Sequence, residues 1–81
     1  MDPVKYERYL GHTIRSSPRK DDHEWKIQID ITFPSVGISQ VTREYLDEIR
    51  LFQKLEEAHV AGFEYGRRII DGVISPQHPH N

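Results

Sequence analysis

Five histidines and a scatter of acidic and basic groups are the residues of this chain with chemistry to offer. His78 and His80 stand one residue apart and could hold a divalent cation weakly. A structural or catalytic zinc needs three or four placed ligands. The chain has no cysteine, and the spacing supplies no further ligand beside that pair, so no metal site is expected. His59 falls near the edge of a helical stripe, where a hydrogen-bonded boundary histidine is a plainer reading than a general base. Asp30 falls on the polar side of a strand and could meet His12 or Thr13 across a sheet. That is the one catalytic surface the spacing allows, and it contains no legible set of nucleophile, base and orienting group. We expect no catalytic residue, no cofactor and no enzymatic activity.

The basic residues form two groups. Arg15, Arg19 and Lys20 surround the first hairpin, and Arg67 and Arg68 lie toward the end of a helix. If the groups met in space they would make a contact for an anion or a nucleic acid. Asp21, Asp22 and Glu24 share the hairpin and offset its field. The net charge is −2, whereas non-specific nucleic-acid binders are normally basic. Nucleic-acid binding is therefore the alternative and not the leading expectation.

These residues need elements to hold them. Trp25, Ile27, Ile29, Ile31 and Phe33 alternate with Lys26, Gln28, Asp30 and Thr32, which predicts a strand with one dry and one wet face. Residues 9–16 read as its partner, with Gly11 a bulge or a point of close backbone approach. Residues 17–24 read as a long, mobile hairpin loop. Pro34-Ser35-Val36-Gly37 is a turn, residues 38–45 a third strand, and residues 44–52 an irregular connection. Residues 53–71 read as a helix with Leu55, Ala58, Gly62, Tyr65, Gly66 and Ile69 on its apolar stripe and Phe63 and Ile70 at the margin. Glu56 and Glu57 suit its N-terminal end and Arg67 and Arg68 its C-terminal end. Gly72 reads as its C-terminal cap. Each of Gly62 and Gly66 costs about 1 kcal/mol against alanine in a helix interior, and close packing on the sheet is the expected return. Val60 is apolar on the otherwise polar side of the helix, and is where a partner contact would be sought.

At 81 residues the chain is one domain. A domain near this size buries only about 60% of the surface its unfolded chain exposes, which leaves room for a flat face or shallow groove. No apolar run approaches the roughly 20 residues of a membrane span. The first residues lack the basic-then-apolar order of a secretory signal. A cytoplasmic protein is expected.

Ala58, Gly62, Tyr65, Gly66, Arg67, Arg68, Ile69, Ile70, Asp71 and Gly72, together with Tyr9, Gly11 and Ile14, then Trp25, then Phe52, Glu57 and Ala58, resemble the pattern of small uncharacterised bacterial proteins. That resemblance covers most of residues 9–72. It implies a β-β-β-α domain of bacterial or prophage origin, and no activity. Phe33-Pro34-Ser35-Val36-Gly37 and Glu56-Glu57-Ala58 are more distantly similar to HicB-type antitoxin domains, which also run three strands into a helix. Double-stranded-RNA-binding domains share that strand order, but this chain lacks their leading helix, and its own helix starts acidic where phosphate contacts need lysines.

The sequence thus predicts an α+β domain over residues 1–74, a three-stranded antiparallel sheet packed on one C-terminal helix, with a disordered tail over residues 75–81. A non-enzymatic protein-interaction module, self-associating or binding another protein, is the leading expectation. An antitoxin-like or nucleic-acid accessory using Arg15, Arg19, Lys20, Arg67 and Arg68 is the alternative.

Overall fold

The computed structural model describes residues 3–34 and 40–74. Five strands and one helix follow in order: β1 (Lys5–Tyr9), β2 (His12–Ser16), β3 (Arg19–Asp21), β4 (Glu24–Phe33), β5 (Val41–Phe52) and α1 (Leu55–Ile74). The α+β class and the antiparallel sheet with a C-terminal helix agree with the sequence. The sheet, however, has five strands and not three. The predicted tail and residues 35–39, which include most of the predicted turn and the start of the predicted third strand, lie outside the described residues.

The strand over residues 9–16 is in fact cut by a hairpin. Leu10 and Gly11 both have positive φ, 49° and 83°, and Tyr9 pairs with His12 around them. Two consecutive left-handed residues are what a two-residue primed turn requires, so Gly11 serves a turn and not a bulge. The chain before it is β1, antiparallel to β2.

The predicted loop over residues 17–24 is largely strand. β2 pairs with β4 in the register Thr13 to Thr32 through Ser16 to Ile29, and β3 resumes that register with Arg19 opposite Lys26. Ser17 N–H bonds the Gln28 carbonyl at 2.8 Å in the same register. Ser17 therefore points its backbone groups at β4, and those of the next residue, Pro18, point away. A proline there removes no bond to β4. Asp22 (φ 60°) and His23 close the hairpin in two residues.

β4 places Ile27, Ile29 and Ile31 under the helix, joined by Ile14 of β2, and all four are buried. Burial of each such side chain stabilises by about 1.5–3 kcal/mol. α1 lies chiefly over β4 and β2. Ala58, Gly62, Gly66 and Ile70 recur every four residues down its buried side. A Cβ on Gly62 would stand 3.2 Å from Ile29 Cγ2, and one on Gly66 3.0 Å from Ile14 Cδ1. The glycines bring the helix down onto the isoleucines, as expected. The stripe is rotated from the predicted one, since Ile70 is buried at its centre and Ile69 only in part. The helix also runs through Gly72 to Ile74, so Gly72 is no cap, and the last turn carries no basic residue.

β1 is held to α1 by polar groups. Lys5 pairs with Glu56, Arg67 pairs with Glu7, and Tyr9 Oη donates to Asp71 at 2.7 Å. The helix covers one face of the sheet only, giving a slab with principal extents of 40 × 35 × 16 Å.

Candidate interaction surface

Backbone hydrogen-bonding direction alternates along a strand, so one bond fixes it across an antiparallel sheet. Gln28 faces β2, so the even-numbered residues of β4 face β2 and β3, and the odd-numbered ones face β5. Ile29, Ile31 and Phe33 lie opposite Tyr45, Arg43 and Val41. These odd-numbered residues of β5 bond inward. The amides and carbonyls of Thr42, Glu44 and Leu46 consequently point outward from the sheet, where no strand of the described residues pairs with them. The opposite edge, β1, is five residues long, whereas β5 has twelve. Short strands and charges blunt an edge; β5 is long, but Arg43, Glu44, Asp47, Glu48 and Arg50 place charges along it.

β5 does carry a bulge. Leu51 lies opposite Lys26, but the next residue of β4, Ile27, lies opposite Asp47. Glu48, Ile49 and Arg50 are therefore extra. Asp47 builds this excursion: its Oδ1 accepts the amides of Ile49 (2.9 Å) and Arg50 (3.1 Å), and its Oδ2 accepts Arg50 Nε at 2.6 Å. Partial burial pushes the Asp47 carboxyl upward, but the Arg50 guanidinium and the two amides outweigh it and hold its pKa below the usual value. The excursion lifts Ile49 into solvent, 89% exposed, and Val41, Leu46 and Leu51 of the same strand are also exposed.

Because α1 sits over β4 and β2, a cleft of about 430 Å³ remains between the helix and the end of β5. Phe52, Val60 and Ala61 supply its apolar surface, and Arg50, Glu56, Glu57 and Glu64 its charged rim. Val60, singled out in the sequence, is 58% exposed here. Tyr45 and Tyr65 meet edge to face, with centroids 6.4 Å apart, between β5 and the helix.

A buried polar pair lies beneath the helix. His59 is 2% exposed, and its Nδ1 is 2.8 Å from the hydroxyl of Ser16, which is fully buried. The ring lies nearly parallel to Phe63. Its Nε2 is buried without a hydrogen-bond partner among the described residues. His59 is thus a core residue and not the boundary histidine expected. Its spacing from Gly62 and Gly66, three and seven residues, is the sequence signal that places it on the buried stripe. Burial lowers its pKa, Lys5 lowers it further, and Glu56 opposes, so the ring is neutral near pH 7. A serine hydroxyl on a neutral imidazole is a nucleophile–base contact. Here Gly62 covers it, for even a Cβ on that residue would come within 3.3 Å of Ser16 Oγ. Both side chains are closed to solvent here, so the contact is not an exposed nucleophile–base pair.

The two basic groups do not meet. Arg15 points to the uncovered face of the sheet and pairs with Asp30 at 3.0 Å. Arg19 is exposed on that same face, beside the Asp21–Lys26 ion pair. Lys20 turns to the other side, 5.7 Å from the centre of the Trp25 ring. Arg67 reaches Glu7 from the helix, and Arg68 is exposed on the helix. Asp30 has Arg15 and Glu44 as cross-strand neighbours. His12 lies on the helix side, buried against Phe33, so the Asp30–His12 cluster allowed by the spacing does not form. No group of three potential metal ligands occurs among the described residues. No helix of the described residues is long and apolar enough to cross a membrane. No family model matches the chain, and no curated protein or solved structure matches it.

Proposed function

We propose that the chain is a non-enzymatic protein-interaction module that engages its partner by strand addition at the outer edge of β5. One observation carries this reading: residues 41–47 present outward-directed amides at Thr42, Glu44 and Leu46 on a straight run of edge strand. Main-chain bonds along such an edge supply affinity, and alternate side chains supply selectivity. The exposed Val41 and Leu46 lie on the two faces of that run. A reducing compartment such as the cytoplasm is part of this proposal, and a chain without cysteine has no disulfide to lose there.

The test uses proline at position 44. Its amide points outward, so Glu44→Pro deletes a bond to a partner and none to β4. Wild-type and Glu44→Pro chains serve as paired baits in the source cell, with light scattering of each. A partner or dimer held by the wild type and lost by the variant supports the reading. Equal capture by both baits, or a strict monomer that captures nothing, removes it.

A further inference from the structure

We infer that the partner of the β5 edge is a second copy of this chain, paired antiparallel about a two-fold axis that passes through Tyr45. The inference rests on the strand-addition reading above and names its occupant.

Two-fold pairing of one strand with itself allows only registers in which residues i and j face each other with a fixed sum, and ladder length and charge together decide among them. An axis at Thr42 opposes no like charges but pairs only residues 41–43 of β5. An axis at Glu44 sets the two Glu44 carboxylates opposite each other. An axis at Arg43 does the same for the guanidiniums. An axis at Leu46 brings Glu44 opposite Glu48, and one at Asp47 opposes the two Asp47 carboxylates. Like charges directly opposite destabilise a ladder. With the axis at Tyr45, Arg43 falls opposite Asp47 of the other copy, twice, and Glu44 falls opposite Leu46. Arg43 makes no salt bridge among the described residues. Asp47 accepts three bonds within its own chain, and a carboxylate has about four acceptor sites, so one remains for Arg43 of the partner copy.

The backbone agrees with this register. Glu44 and Leu46 both direct their amides outward, and they would exchange four hydrogen bonds across the axis. Tyr45, bonding inward, forms the non-hydrogen-bonded pair at the axis itself. The bulge at Glu48 ends the ladder on each side. Both helices then stand on one face of a continuous sheet. Seven residues of strand are about 23 Å long, and the slab is 16 Å thick. Because 16 Å spans sheet and helix together and the helix stands chiefly over β4 and β2, such a contact buries at most roughly 700 Å² in total, below the 1,200–2,000 Å² of stable complexes. The dimer is therefore weak, and is sought at concentrations on the order of 100 µM and above.

The test exploits a chain without cysteine. Opposed residues of a non-hydrogen-bonded pair have Cα atoms about 4.5 Å apart, inside the span a disulfide bridges. Under air oxidation at about 100 µM, Tyr45→Cys should give a covalent dimer. Arg43→Cys, four positions from its own copy in this register, should not. Sedimentation of the wild type should show a monomer–dimer equilibrium that Glu44→Pro abolishes and Arg43→Asp weakens at least tenfold. Since Tyr45 packs on Tyr65, circular dichroism of the variant establishes that it folds; if it does not, the sedimentation series decides alone. A wild type that stays monomeric at about 500 µM, or a dimer that survives Glu44→Pro, overturns the inference. If the monomer still captures another protein in a Glu44-dependent manner, strand addition stands and only the second copy falls.

Discussion

Replacing Gly66 with alanine sets two effects of known sign against each other. Alanine gains about 1 kcal/mol over glycine in a helix interior. Against that, the new Cβ would lie 3.0 Å from Ile14 Cδ1 and 3.1 Å from Ile14 Cγ2. Ile14 is fully buried within the isoleucine core, so making room for the Cβ shifts packed neighbours, and overpacking of this kind costs about 1–3 kcal/mol. We expect Gly66→Ala to destabilise by about 1 kcal/mol net. Gly72 lies in the last turn of the same helix with nothing within 4 Å of a Cβ, and Gly72→Ala should stabilise by a few tenths of a kcal/mol to about 1 kcal/mol. Urea unfolding measures both as midpoint shifts of opposite sign at unchanged slope. The clash is also separable from any general effect on the helix. Ile14→Val removes Cδ1, so it should cost at least about 0.5 kcal/mol less in the Gly66→Ala background than in the wild type. If Gly66→Ala stabilises as much as Gly72→Ala, the helix does not rest on Ile14 and the packing described above is wrong.

Other expectations follow from the same geometry. His59 has its pKa depressed below 6.5 in the folded chain, so between 6.5 and that lower value the unfolded chain binds a proton the folded one does not. Stability should therefore fall as pH falls through this window, by at most about 1.4 kcal/mol per pH unit, and level off below it. The double substitution Ser16→Ala with His59→Leu replaces both members of the pair and should erase that slope; a slope unchanged in urea titrations at about pH 7 and pH 5.5 would show another group responsible. Asp47→Ala should cost about 0.5–1.5 kcal/mol, because water replaces the carboxylate at the exposed amides of Ile49 and Arg50, with faster exchange of those two amides by NMR. Its carboxylate, held below its ordinary pKa of 3.8, adds a second, more acidic loss of stability below that pH. Arg15→Ala with Arg68→Ala should leave gel mobility of short DNA and RNA unchanged at low salt, because the two side chains stand on opposite sides of the sheet; a shift seen with wild type and lost in the double variant would restore a nucleic-acid role.

β4 was legible because its side chains alternate between helix and solvent without interruption from Trp25 to Phe33. β1 gives no such signal. Its inward residues are Lys5, Glu7 and Tyr9, which meet the helix through ion pairs and a hydroxyl, so no apolar alternation marks it. The turn that precedes β2 puts leucine at positive φ, a place where asparagine or aspartate would have announced a hairpin. β3 is exposed along its length and is tied to β4 by backbone bonds, the Asp21–Lys26 ion pair and Lys20 over Trp25, none of which leaves an apolar alternation to read. In β5 the inward set runs Val41, Arg43, Tyr45 and Asp47, then jumps to Phe52 because of the three extra residues; the period of two is broken there, which is why residues 44–52 read as irregular. The proposed edge was visible only as an open sheet, since which amides face outward depends on a register that no residue type encodes.

Amide exchange along β5, followed by two-dimensional NMR as the protein is concentrated, tests the central claim most directly. At about 10 µM the amides of Arg43, Tyr45 and Asp47 should be protected by β4 while those of Glu44 and Leu46 exchange freely. Near about 500 µM the amides of Glu44 and Leu46 should gain protection with the rest of the domain unchanged. Protection of Glu44 and Leu46 that is already complete in the dilute monomer, or that never rises and is not supplied by any added partner, would contradict the claim that this edge binds a strand.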